Sequence, residues 1–235
     1  MAKMVGLSRN LKLTWLNKAA ELASGELTEQ EIKDQLNEYL SFEITSPTNL
    51  RKTREILMNI WVYGGEINDK LRSEALAIIR DMPEYALEVH WCMMMGSYPV
   101  FVDMCKLIGK LSEFEDEISL NQIKQKIYDE WGERTTLYHS IDKIVSTLKD
   151  INAISGDKPG KYHIVRHEVR NSRVSMFMLY AMMLVDGSGY YPFTDLNNSV
   201  YFYPFQYKIE KETLLTDKRF SMNTFGGELT VTLNA

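Results

Sequence analysis

The chain runs to 235 residues, 45% of them hydrophobic and 25% charged, with a net charge of −5. That balance is enough for one large or two small cored domains, and it excludes a disordered or low-complexity chain. The negative net charge argues against nucleic-acid binding as a whole-chain property but leaves room for a local basic face, and two cysteines, Cys92 and Cys105, exclude a disulfide framework.

The first thirty residues contain no apolar run of the kind a secretory leader needs, so a non-secreted, cytoplasmic protein is expected. Helical punctuation follows. Thr28 and Glu31 form a capping box, in which the threonine oxygen takes an orphan N–H and the carboxylate reaches back to the cap. Ile32, Leu36 and Leu40 continue at a spacing of four. Ser46-Pro47 is an N-cap with proline at the first helical position, where its missing N–H does no harm. Leu50, Ile56, Leu57, Ile60 and Trp61 give the next helix an apolar face, and Gly64-Gly65 ends it. These two helices also read as a first helix-turn-helix with no wing after it. Residues 68–80, 81–95 and 98–111 predict three more helices. The apolar runs 91–102 and 174–185 are each about a dozen residues long, short of the roughly 20 that span a bilayer, and read as buried helix. Both cysteines fall in apolar helical contexts as buried, reduced thiols.

An acidic stretch, 113–117, reads as a solvated connector. Ser119 and Gln122 then open a second capping box, with Leu120, Ile123 and Ile127 on one face. A glycine turn at 132 leads to a helix over 135–150 that buries Leu137, Ile141, Ile144, Val145 and Leu148. A polar Gly-Asp-Lys-Pro-Gly turn at 156–160 separates two β-prone runs, a hairpin signal. Helix, capped helix, turn, helix and hairpin is the order of a winged helix, expected over about 100–166. Beyond Arg173 comes a helix rich in Met176, Met178, Met182 and Met183, read as core with a docking surface as the alternative. Strands are expected at 200–203, 205–209 and 229–233, the last alternating strictly. The whole predicts a mainly α fold in three parts: a helical region over 1–97, a winged helix over 98–173, and a helix plus a β-containing module over 174–235.

Candidate DNA contacts follow from that layout. Arg134, Thr135, Thr136, Tyr138, His139 and Lys143 lie near the start of the recognition helix or away from its buried face. Arginine can pair with guanine, hydroxyls can hold phosphate, and the helix N-terminus adds partial positive charge. Glu133 and Asp142 dilute that charge. In the wing and its sequel, Lys158, Lys161, Arg166, Arg170 and Arg173 face a single acid, Glu168, and suit a phosphate backbone or a minor groove. Arg51, Lys52 and Arg54 form a second basic cluster. Each group reads alternatively as a solvated face.

His163 and His167, four apart, cross a strand too widely to share a metal, and His90-Trp91 reads as a helix-interface pair. No phosphate-binding glycine loop, dinucleotide fingerprint or nucleophile elbow is present. With no distinguishable acid–base pair, neither catalysis nor a cofactor is expected.

A capped N-terminal helix pair, then Asn49-Leu-Arg-Lys-Thr-Arg54 leading a helix, then a winged helix, resembles the layout of the BrxA proteins of BREX phage-defence systems over residues 6–166. The resemblance implies a small, helical, non-enzymatic protein that binds double-stranded DNA and works with other defence-system proteins. It carries over no catalytic residue. The alternative from the residues themselves is a structural adaptor, its winged helix and the aromatic cluster Tyr201, Phe202, Tyr203 and Phe205 docking a protein partner.

Overall fold

A computed structural model describes residues 5–234, so the first four residues of the 1–97 region and Ala235 lie outside the described residues. Six helices come first: α1 (Leu13–Ala23), α2 (Glu29–Ser41), α3 (Pro47–Trp61), α4 (Glu66–Asp81), α5 (Ala86–Ser97) and α6 (Pro99–Ser112). Both bonds of the Thr28 capping box form, and Ser46 Oγ accepts the Asn49 N–H ahead of α3. The break between α4 and α5 is a single 3-10 turn, Pro83–Tyr85, opened by the proline. Helix α5 has no polar face and is enclosed from Ala86 to Met95, the ionisable Glu88 and His90 included, as a helix without a solvated side must be.

The middle of the chain forms β1 (Ile118–Ser119), α7 (Leu120–Trp131), α8 (Thr135–Asp150), β2 (Ile154–Ser155) and β3 (Lys161–Ile164). The Ser119–Gln122 capping box starts α7, and Gly132, at φ +77°, ends it in a backbone conformation that glycine adopts without strain. The three short strands pair antiparallel in the order β1-β3-β2, with Ile118 opposite Tyr162 and Ile154 opposite Ile164. Helix α6 followed by strand, two helices and two strands is the arrangement expected of a winged helix. The acidic stretch is not a free connector. It runs directly into β1 and lies along the wing strand.

Next come β4 (His167–Glu168), α9 (Ser172–Asp186), β5 (Tyr191–Pro192), β6 (Phe205–Gln206), α10 (Lys211–Thr216), β7 (Phe220–Phe225) and β8 (Glu228–Leu233). Strand β4 pairs in parallel with β6, which ties the end of the wing to the C-terminal part. Strands β7 and β8 form a hairpin across Gly226-Gly227, both at positive φ, and β5 completes that sheet. The fold is mainly α with a small β-containing C-terminal region. The expected strand at 200–203 is instead a 3-10 turn, Val200–Phe202, and the one at 205–209 is paired only over its first two residues. Tertiary packing decides this. Trp91, fully buried on α5, meets Phe101, Tyr203 and Phe205 edge-on at 5.1, 5.4 and 5.3 Å and donates its indole N–H to the Tyr201 carbonyl at 3.0 Å. Tyr201 and Tyr191 hydroxyls both donate to Asp186 at the end of α9. The aromatic run is spent on the core, and so are Met176, Met178, Met182 and Met183, each at most 3% exposed.

Ahead of α1, an arm over residues 5–12 crosses to the far end of α8. Leu7 and Leu11 are fully buried. The Leu11 N–H donates to Thr147 Oγ1 at 2.9 Å, and Asn10 Nδ2 donates to Asp150 at 2.6 Å. Gly6, at φ +71°, lies so close on the Tyr98 ring that an added Cβ would stand 2.6 Å from it. No helix among the described residues is long and apolar enough to cross a membrane.

Candidate nucleic-acid interface

The arm, the start of α3 and the first turns of α8 enclose a cleft of ≈ 670 Å³. It is lined by Val5, Gly6, Ser8 and Arg9 from the arm, Lys52 from α3, and Arg134, Thr136, His139, Ser140 and Lys143 from α8. The stripe on α8 follows from helical geometry, since residues at spacings of three and four share a face. Lys52 and Lys143 are exposed, with no ion pair to either among the described residues. Arg9 folds back to donate to its neighbour's carbonyl, Ser8 O, at 2.5 Å. Arg134 sits half-buried at the N-cap of α8 and offers no side-chain cap, so the positive end of the helix dipole adds to the cleft.

Among the described residues no carboxylate lines this cleft. The acids that dilute the charge in the sequence sit on the opposite side of α8. Asp142 pairs with Lys124 of α7 at 2.7 Å, and Glu133 lines a shallow depression with Asn121, Lys124 and Asp129. Tyr138 turns to that same side, with Lys124 Nζ 3.9 Å from its ring centroid. Thr135, the first residue of α8, is exposed and outside the cleft.

The remaining expected contacts are spread over other surfaces. Lys161 pairs with Glu117 and holds that carboxyl below the ordinary carboxylate range. His163 Nδ1 donates to the Asp116 carbonyl, 2.9 Å away, so the acidic stretch lies along the wing strand and its Glu117 neutralises Lys161 there. Lys158, at the wing tip, is exposed and has no ion pair among the described residues. Arg166 donates to the Tyr203 carbonyl at the rim of a separate polar cavity. Arg170 pairs with Glu168 at 2.6 Å, Arg173 with Asp81 at 3.2 Å, and Arg54 with Glu55 at 2.5 Å, while Arg51 is exposed beside the cleft. Of the expected set, Lys52, Arg134, Thr136, His139 and Lys143 therefore come together. Sequence reading passed over Arg9. The polar run Ser8-Arg9-Asn10 between buried Leu7 and Leu11 has no helical or strand period to flag it.

His167 Nε2 is bonded to the Asn152 carbonyl at 2.8 Å, and no group of three metal-ligating side chains is found among the described residues. Comparison with protein-family models, curated proteins and solved structures finds no match to this chain.

Proposed function

We propose that this protein is a non-enzymatic, cytoplasmic DNA-binding protein that holds double-stranded DNA at the cleft between the arm, α3 and α8. The observation that carries the reading is the convergence of Arg9, Lys52, Arg134 and Lys143, from three separate segments, on one concavity that no carboxylate lines among the described residues. Like charges gathered in this way repel one another in the free protein, and neutralisation by phosphates relieves that repulsion while releasing counterions. A role in bacterial phage defence, alongside other defence-system proteins, is supported by the resemblance of the layout to BrxA.

The test is fluorescence anisotropy with a labelled duplex at ~50 and ~200 mM salt, the range over which phosphate contacts lose most affinity. The wild type is expected to bind at the lower salt and to weaken steeply at the higher. Lys52→Ala combined with Lys143→Ala is expected to lose about tenfold in affinity on every sequence. A double variant that binds like the wild type sinks the assignment.

A second reading, an adaptor that docks a protein, draws on one pair of side chains. Tyr190 and Phe225, 60% and 75% exposed, meet at a tilt with ring centroids 6.4 Å apart beside the β7–β8 turn, and exposed aromatics are frequent interface anchors.

A further inference from the structure

The cleft is defined by what it lacks as much as by what it holds. Adenine is read by Asn or Gln, and cytosine by Asp or Glu. Among the described residues neither an amide nor a carboxylate side chain lines the cleft. Arginine can read guanine, but only by presenting its fork. Arg9 Nη1 is engaged with the Ser8 carbonyl and its Nε is buried, so neither edge of its fork is open and Nη2 is left for a single phosphate oxygen, while Arg134 is half-buried at the helix start. Beside Arg9 stand ammonium and hydroxyl groups, Lys52, Lys143, Ser8 and Thr136, which hold phosphate oxygens and lack the rigid planar fork that fixes a base.

A second omission bears on strandedness. Sites that take single strands stack unpaired bases on aromatic rings. Among the described residues the cleft is lined by no Phe, Tyr or Trp, and its one ring is the His139 imidazole. Tyr138, the nearest aromatic on α8, is turned away beneath Lys124. Bases that keep their own stacking, as in a duplex, lose nothing at such a site.

The third observation is the arm. It is a built wall and not a loose tail, because Leu7 and Leu11 are buried and Leu11 and Asn10 are bonded to α8. Cations therefore face each other from two fixed walls.

Resting on the reading of the cleft as a DNA interface, we infer that it clamps the phosphate backbone of a duplex between the arm and α8, without regard to sequence, and that Arg9 is an arm-borne phosphate contact. The full chain is titrated against three unrelated duplexes of equal length and against an oligothymidylate of that length, between ~50 and ~200 mM salt. The three duplexes are expected to bind within about threefold of one another, with a slope of log K against log salt of about −3 to −4. The oligothymidylate is expected to bind at least about tenfold more weakly. Arg9→Gln should flatten the slope by about 0.9 on every duplex, while Arg9→Lys should retain it. A tenfold preference for one duplex, oligothymidylate bound as tightly as duplex, or an unchanged slope in Arg9→Gln would overturn the inference. If these occur while the Lys52–Lys143 double variant still loses binding, the DNA interface stands and only the clamp falls. Absence of duplex binding at every salt overturns both.

Discussion

Two ionisable side chains on α5 have no reason to be buried unless the surroundings compensate them, and neither is compensated by charge. Glu88 is 4% exposed and its Oε2 has no hydrogen-bond partner among the described residues. Burial pushes its carboxyl from the ordinary 4.5 up to about 7. His90 is fully buried between Trp61, whose ring it meets edge-on at 5.2 Å, and Asn17 Oδ1 at 2.7 Å. Desolvation lowers its imidazole from 6.5 to about 3. The signs oppose each other. Glu88 binds its proton more tightly folded than unfolded, so its contribution is complete below pH 4.5 and is lost as pH rises through about 7. His90 contributes fully above pH 6.5 and loses that contribution as pH falls towards 3. Stability should therefore peak in mildly acidic solution. Glu88→Gln, which keeps the shape and cannot ionise, is expected to remove a loss of about 3 kcal/mol on the alkaline side. Urea unfolding between pH 4.5 and 8, the range from the unfolded to beyond the folded value, checks this, and a variant that loses stability over that range as the wild type does rules Glu88 out as the titrating group.

Helix α6 and the 3-10 turn after β5 approach more closely than side chains permit. A Cβ at Gly109 would stand 2.3 Å from the Val200 carbonyl oxygen and 2.9 Å from its Cα, backbone atoms that cannot swing aside. Gly109→Ala is expected to cost about 1–3 kcal/mol as overpacking, with the thermal midpoint falling by about 2–10 °C. A midpoint matching the wild type would mean that the turn shifts freely. This contact also explains what was and was not legible in the sequence. Elements whose cause is local could be read directly: the capping boxes at Thr28 and Ser119, the Gly-rich turns, and the apolar stripe of α8. The turn at Val200–Phe202 could not, because its aromatic, β-prone residues are held by Trp91, Asp186 and Gly109, all distant in sequence. Likewise, β1 is two residues long and exists by pairing with β3, so the acidic stretch before it gave no sign that it would lie against the wing. For the candidate site, charge could be located along the chain, but its compensation could not. Lys161 and Lys143 look alike until Glu117 is seen beside one and not the other.

The three expected regions share one continuous buried core that runs from Val5 to Val231, and the arm is the seam between the first and the second. Its hold is apolar at Leu7 and Leu11 and polar at Thr147 and Asp150. Leu11→Ala leaves a cavity under the arm worth about 2–5 kcal/mol. The loss should concentrate in the arm, which has few contacts besides these, and less in the enclosed α5. Limited trypsinolysis is the check: cleavage after Arg9 should accelerate well before cleavage within α5–α9. Equal acceleration everywhere would show that the arm and the helical core open together.

The seam joins residues 136 positions apart, and that separation orders events in time. Each helix can gain most of its own turns from neighbours along the chain, whereas the arm finds its place only after α8 has formed and come into reach. Half of the cleft wall is thus the last part of the molecule to be laid down. If the cleft binds DNA as proposed, a refolding chain is expected to acquire helicity first and affinity for polyanions afterwards, and the appearance of binding would mark the completion of the fold.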